Sequence, residues 1–384
     1  MYENKLKTWH VHLWIVFIVC VLLFSPLLSQ SQKKYVVTSD AGAHATGLLF
    51  QNPERDPDAI PGAAYIQSLG QEPLSADSHT NLAYLPPVDT QGSQGSCVAW
   101  AVAYYYKSYQ ENKEDNRTGE AEKSLAQNLF SPAFMYNMIH AQYDRGAYFS
   151  DAFRVLNDFG CASLADMPYD DSDYQTWPDE SDFENAVSQR TQCSSGEYYY
   201  QYMGSDSDLN QIKQLVLDGK LVVFGIYVYP NFDSISSYDN TYTIADQSGS
   251  SRGGHAQTIV GFDDNKVTND GTGAFRVVNS WGTGWGDNGF YWMSYEAIKA
   301  SSDLSQGYAY WVDDRTGYSS DKTVNFQFAH TYSRETSTWV TVGSTDADFF
   351  DFYVKNSEPE YLGFPSSNIV LDLKDLESSI GEGT

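Results

Sequence analysis

The stretch QGSQGSCVAWAVAYYY at residues 91–106 decides the fold, because a glycine- and serine-rich run changes at Cys97 into a helical pattern. Apolar side chains then recur three and four positions apart, at Val98, Ala101, Val102, Tyr105 and Tyr109. A helix that begins at a cysteine places unpaired backbone N–H groups and the positive end of its dipole near the sulfur, and both stabilise a thiolate. The stretch therefore predicts a reactive thiol at the start of an amphipathic helix.

Two further motifs downstream carry polar groups that a thiol nucleophile needs. Gly253-Gly254-His255-Ala256 opens an apolar run, and Asn279-Ser280-Trp281-Gly282 follows the next one. A thiol requires a base that takes its proton, and the base requires a third group that holds its orientation. Cys97, His255 and Asn279 are the candidates for these three roles.

The rest of the pattern predicts helices first and strands second. Helical signals lie at 121–141, 150–159 and 207–218, and short β-branched and aromatic runs follow at 221–229, 256–264, 274–282 and 289–295. This order favours an α+β protein with a helical half and a β half. The acidic run FDDNKVTNDG lacks the ligand spacing of an EF-hand, so we predict a hairpin turn there rather than a calcium loop.

Together these motifs resemble those of the papain family of cysteine peptidases, in which a cysteine is followed far downstream by a histidine and an asparagine. Gln91, six residues before the cysteine, also matches the family pattern, as do the Gly-Gly-His and Asn-Ser-Trp-Gly motifs. The resemblance covers residues 80–312. It implies a papain-like fold with a helical half and a β-barrel-like half. It also implies peptide-bond hydrolysis through an acyl-enzyme thioester, with no metal and no other cofactor.

The resemblance assigns a role to each matching residue. It makes Cys97 the nucleophile, His255 the general base and later the acid, and Asn279 the residue that orients the imidazole. It places Gln91 and the Cys97 backbone N–H in the oxyanion hole. It implies substrate contacts at Gly146, Ala147 and Gly254, and a shielding role for Trp281. The chain departs from the family at Gln94, Val98 and Ala147, where the family usually has a cysteine, an aromatic residue and a glycine.

The N-terminal region reads as a targeting signal. Lys5 and Lys7 precede an apolar run from Leu13 to Phe24, and small residues follow, which is typical of a secretory signal peptide. An uncleaved membrane anchor is the alternative. We predict a signal peptide at 1–31, a prosegment-like region at 32–79, a peptidase domain at 80–314 and a C-terminal β module at 315–384. The predicted location is secreted or in the cell envelope.

Export would place the remaining cysteines in an oxidising compartment. Cys20 leaves with the signal peptide, and the odd number that remains suggests one disulfide and one reactive thiol. We predict a disulfide between Cys161 and Cys193, which leaves Cys97 free.

Composition limits the partners. The chain has 384 residues and a formal net charge of −27. Binding to nucleic acid uses clustered Lys and Arg that neutralise phosphates, so this charge argues against a nucleic-acid partner. An apolar share of 41% is enough for a packed core. We expect polypeptide substrates, with carbohydrate or cell wall as a further ligand of the C-terminal module. The alternative functions are an adhesin that uses this module, and acyl transfer by the same thiol site.

Overall fold

The computed structural model describes residues 43–70, 77–140, 144–193, 196–301, 307–327, 338–343, 349–354 and 367–374. The predicted signal peptide lies outside these ranges. Within them, no helix is long and apolar enough to cross a membrane.

The helices lie mainly in the first half of the described chain, as predicted. They are α1 (Ala63–Ser68), α2 (Cys97–Ala99), α3 (Ser108–Glu114), α4 (Glu120–Lys123), α5 (Pro132–Ile139), α6 (Phe149–Asp158), α7 (Glu180–Ala186), α8 (Asp206–Leu217), α9 (Pro230–Asp233) and α10 (Tyr295–Ala300). Short 3-10 helices cover Pro53–Arg55, Ala126–Asn128, Val187–Gln189, Ile235–Tyr238 and Ile244–Asp246. A π-helical segment, Trp100–Lys107, joins α2 to α3, so the chain is helical without a break from Cys97 to Glu114.

The strands are β1 (Ala59–Pro61), β2 (Ser78–Thr80), β3 (Thr191–Gln192), β4 (Tyr198–Tyr202), β5 (Val222–Val228), β6 (Thr241–Tyr242), β7 (Gly253–Thr268), β8 (Gly271–Val278), β9 (Phe290–Ser294), β10 (Tyr308–Trp311), β11 (Asp313–Asp314), β12 (Thr323–Phe326), β13 (Thr338–Gly343), β14 (Phe349–Val354) and β15 (Ile369–Asp372). Together with the helices, they confirm the predicted α+β class.

A large mixed sheet organises the second half. Its strand order is β1-β4-β10-β5-β7-β8-β9-β6, with β2 paired to β7. The strands β7 and β8 pair antiparallel from Thr258 with Val278 to Thr268 with Gly271, so the acidic run, which covers the end of β7 and the turn into β8, forms the predicted hairpin. His255 lies at the start of β7, and Asn279 directly follows β8.

The helix that begins at Cys97 lies in the core against this sheet. Its residues from Cys97 to Tyr106 are all buried, because apolar and aromatic side chains surround it on every side. The local pattern thus predicted the helix correctly, although burial extends beyond the one face that the spacing indicated.

The C-terminal strands form two separate pairs. β12 pairs with β15, and β13 pairs with β14. Three apolar residues of β15, from Ile369 to Leu371, are buried in the core, and Asp372 forms a buried ion pair with Arg190 at 3.1 Å. The β12–β15 pair therefore packs against the main hydrophobic core.

The structure does not contain the predicted Cys161–Cys193 disulfide. The Cys161 thiol is buried in the core and contacts the main-chain oxygen of Ser131 at 3.6 Å. Cys193 follows β3 at a half-buried position. Expected export and the odd number of remaining cysteines suggested the pair, and the fold gives the Cys161 thiol a different environment.

Candidate active site

Cys97 is the first residue of α2 and is fully buried. Its Sγ accepts a hydrogen bond from the backbone N–H of Ala256 at 3.3 Å. Ala256 follows His255 in β7, so this contact joins the cysteine helix directly to the histidine strand. The first two motifs of the sequence therefore meet in space.

His255 and Asn279 face each other across neighbouring strands. His255 Nε2 lies 2.7 Å from Asn279 Oδ1, and both side chains are fully buried. The same oxygen accepts the backbone N–H of Ser280 at 2.8 Å, which fixes the amide orientation. Among the described residues, His255 Nδ1 has no hydrogen-bond partner. The imidazole is thus held by one nitrogen, while the other is available for a proton.

Trp281 covers this pair of side chains. Its ring lies 4.7 Å from the His255 ring, and on its other side it stacks against His44 at 4.5 Å. Its indole N–H donates to the main-chain oxygen of Ala45 at 2.9 Å. Trp281 therefore contacts both His255 and residues near the N-terminus, and its shielding role stays a prediction.

Gln91 lies in the loop before the cysteine helix and is also fully buried. Its Oε1 accepts the Ser280 hydroxyl at 2.6 Å, and its Nε2 donates to the Gln94 main-chain oxygen at 2.9 Å. Its backbone N–H donates to the Ser280 oxygen at 2.9 Å. Ser280, the residue after Asn279, therefore ties the glutamine loop to the loop that carries Asn279.

Residues 44–49 lie in a cleft between Ala147 and Gly254, and we call them the cleft segment. The Gly254 oxygen accepts the N–H groups of Gly47 and Leu48, both at 2.9 Å. The N–H of Ala147 donates to the Gly47 oxygen at 2.8 Å, and its oxygen accepts the Leu49 N–H at 2.9 Å. Ala147 and Gly254, which are predicted to contact a substrate chain, thus form hydrogen bonds with a segment of this chain.

Glycines, which carry no side chain, make this close approach possible. Gly146 has φ +98°, and a Cβ there would lie 1.9 Å from the Gly47 oxygen. A Cβ on Gly225 in β5 would lie 1.9 Å from Leu48, whose side chain fills that space. Leu48 is only 4% exposed, and Thr46 and Gly47 are buried with it, so the centre of the cleft segment is packed like core.

A family model described as papain family cysteine protease matches residues 72–310, which is more than half of the chain. The chain belongs to the papain family of cysteine peptidases. An uncharacterized peptidase C1-like protein of Acanthamoeba polyphaga mimivirus is 30% identical over 233 residues, which cover 58% of this chain and 68% of that protein.

Solved structures of papain-like peptidases share the fold. Xylellain, a cysteine protease from Xylella fastidiosa, is 24% identical and aligns with a TM-score of 0.52, covering 70% of this chain and 96% of its own. Procathepsin L 3 from the Tenebrio molitor larval midgut is 17% identical, with a TM-score of 0.50, and covers 71% of this chain and 76% of its own. This chain is therefore a cysteine peptidase with a papain-like fold.

Burial sets the protonation of the candidate catalytic groups in this papain-family peptidase. Desolvation raises the pKa of the Cys97 thiol to about 12, although backbone N–H groups oppose the shift. Desolvation lowers the pKa of His255 to about 3, partly offset by the hydrogen bond with Asn279. With the cleft segment in place, both groups are therefore neutral at ordinary pH.

Sequence reasoning missed three features of this papain-family site. The cleft segment carries no motif that marks it as a cleft ligand. Ser280 lies inside the quoted Asn-Ser-Trp-Gly motif, yet its contact with Gln91 is visible only in three dimensions. Tyr105 was predicted only as part of an apolar face, and its hydroxyl donates to the Asn279 main-chain oxygen at 2.9 Å.

Proposed function

We propose that the chain hydrolyses peptide bonds with Cys97 as nucleophile, His255 as general base and acid, and Asn279 as the residue that orients the imidazole. The observation that supports this proposal is the 2.7 Å contact between His255 and Asn279, next to the thiol that Ala256 holds at the helix start. Asn279 holds the base, and the residue after the base holds the thiol, so a nucleophile, a base and an orienting group come together as thiol catalysis requires.

The proposed reaction has two steps. The Cys97 sulfur attacks the substrate carbonyl carbon, His255 passes the thiol proton to the leaving amine, and the C–N bond breaks to give a thioester. Water then attacks the thioester, His255 takes the water proton and returns it to the sulfur, and the carboxylic acid leaves. Gln91 Nε2 and the Cys97 N–H donate to the oxyanion in both steps, and such donors contribute about 10²–10³ in rate.

We propose further that the cleft segment inhibits the peptidase. Its backbone occupies Ala147 and Gly254, the groups that would hold a substrate in extended form. Cys97 and His255 are fully buried with the segment in the cleft. A substrate chain can bind there only after the segment leaves.

The test is peptide hydrolysis by the purified chain before and after limited proteolysis, because the cleft is occupied. We expect activity after proteolysis in the unchanged chain and none in Cys97→Ala. Cys193→Ala is the matched control, since it removes a thiol outside the cleft, and it should keep full activity. Equal activity of Cys97→Ala and the unchanged chain would rule out the proposed nucleophile.

Two further parts of the proposal concern export of the protein and the molecule that accepts the acyl group. The basic and apolar N-terminal pattern supports export, and N-terminal sequencing of protein recovered from a secreting host tests it. The thioester would also transfer its acyl group to an amine instead of water. Product analysis with an added amine separates hydrolysis from transfer, and glycan binding by the full Cys97→Ala chain tests the adhesin alternative.

A further inference from the structure

The described N-terminal region, residues 43–70, binds the peptidase domain in two different ways. The cleft segment lies between Ala147 and Gly254, where a substrate would lie. The residues from Asp56 onward instead join the main sheet and the core. This difference divides a region that the sequence treated as one prosegment.

Strand β1 is a structural part of the sheet. It pairs in parallel with β4, from Ala59 with Tyr198 to Pro61 with Tyr200. Gly62 N–H donates to the Tyr200 oxygen at 2.8 Å just beyond the strand. A Cβ on Gly62 would lie 2.0 Å from the Trp311 ring, so the Gly62 backbone packs directly against this side chain at the end of β10.

Charged and apolar anchors hold both ends of this part. Arg154 in α6 contacts Asp56 at 3.0 Å and Asp58 at 2.7 Å. Asp56 also accepts the Tyr198 hydroxyl at 2.9 Å. In α1, Ile66 is 2% exposed and belongs to the main core, and burial of such an apolar side chain holds the helix in place.

Between these two parts lie residues 50–55. The last backbone hydrogen bond of the cleft segment is that of the Leu49 N–H, and the first residue held by Arg154 is Asp56. Glu54 and Arg55 are exposed, which gives a peptidase access to the backbone there. We propose that the cut that opens the cleft falls within residues 50–55, and that residues 56–69 stay in the active enzyme as a strand and a helix.

This proposal rests on the proposed function, because it concerns access to the same site. Hydrolysis of one peptide bond in the window consumes one water. The new carboxylate ends the released segment, and the new amino group begins the enzyme. Before the cut, a short linker holds the segment near the cleft at an effective concentration of about mM. After the cut, rebinding of the segment depends on its concentration in solution.

Two full-length chains test the proposal, each with an inserted recognition sequence for a site-specific endopeptidase. One insert lies between Glu54 and Arg55, and the other follows the exposed Gly70. We expect a cut at the first site to release the cleft segment and make Cys97 react with iodoacetamide at least tenfold faster. A cut at the second site should leave residues up to 70 bound and Cys97 unreactive. The uncut chains are the controls.

The opposite pattern would overturn the proposal. If a cut after Gly70 released the whole N-terminal region, and the unfolding temperature stayed the same, residues 56–69 would not belong to the enzyme. Mass mapping of the naturally matured chain gives a second check, and a first residue beyond 70, or activity with residues 50–55 uncut, contradicts it. Cys97 labelling without peptide hydrolysis would instead refute the proposed function and leave this inference intact.

Discussion

Gly47 is the residue at which one added methyl group should displace the cleft segment. A Cβ there would lie 1.9 Å from the Gly95 oxygen, which is backbone and cannot rotate away. Such overpacking costs about 1–3 kcal/mol, or about 5–150-fold in occupancy. We expect Gly47→Ala to speed alkylation of Cys97 in the uncut chain by a factor in this range. Gly119→Ala is the control, because its Cβ meets nothing closer than 4.0 Å. Equal labelling in both variants would contradict the tight fit.

Gln91 and Ser280 should differ in their effects on catalysis, although they are hydrogen-bonded to each other. Replacing Gln91 by Ala removes the proposed oxyanion donor, so kcat should fall about 10²–10³-fold with little change in KM. Ser280→Ala removes only the hydrogen bond that orients the amide, and such a bond contributes about 0.5–1.5 kcal/mol, so kcat should fall less than about tenfold. The double variant should match Gln91→Ala alone, because Ser280 acts through Gln91. Additive losses, measured by steady-state kinetics, would show that Ser280 acts separately.

At the scale of elements, the cysteine helix is tied to the loops that carry the other candidate groups. Tyr105 lies on the π-helical segment and its hydroxyl donates to the Asn279 main-chain oxygen at 2.9 Å. The same hydroxyl accepts the Asp89 N–H at 3.3 Å, just before the Gln91 loop. Tyr105 is therefore a positioning residue that sets the helix against both loops.

Tyr105→Phe should lower kcat about 2- to 10-fold at unchanged KM, since one buried hydrogen bond contributes about 0.5–1.5 kcal/mol. Tyr106→Phe is a matched control on the same helix. Its hydroxyl donates to the Val312 oxygen and accepts the Val312 N–H, away from the cleft. Both variants should lose similar stability in urea unfolding, and only Tyr105→Phe should lose kcat. An equal loss of kcat in both would reduce Tyr105 to a structural role.

For the whole molecule, cleft occupancy should control how the thiol responds to pH. In the intact chain the Cys97 pKa is about 12 and the His255 pKa is about 3. The thiol stays mostly protonated below the first value and the imidazole stays unprotonated above the second, so labelling should be slow from pH 4 to about 9 and should rise about tenfold per pH unit with the small thiolate fraction. After the cleft opens, desolvation weakens and an ion pair can form, so Cys97 should label rapidly near pH ~5. Slow labelling at pH 5 in the open chain would contradict the paired thiolate.

Local sequence predicted much of the fold because the relevant signals are local. The helix at Cys97 follows from the spacing of apolar residues, and the β7–β8 hairpin follows from β-branched runs around an acidic turn. The α+β class follows from the order of helices and strands. The candidate catalytic set also came from the sequence, because three motifs in a fixed order resemble one family.

Tertiary structure alone decided the contacts between distant segments. Leu48 reaches Gly254 and Ala147 because the sheet and the helical half form a cleft around it, and no periodicity encodes that path. The Cys161–Cys193 pairing failed for the same reason, since the surroundings of the buried thiol depend on packing. The sequence by itself thus determined the elements and the candidate chemistry. Only the fold decided which segment occupies the cleft, because side-chain packing and backbone hydrogen bonds between remote residues arise when the chain is folded.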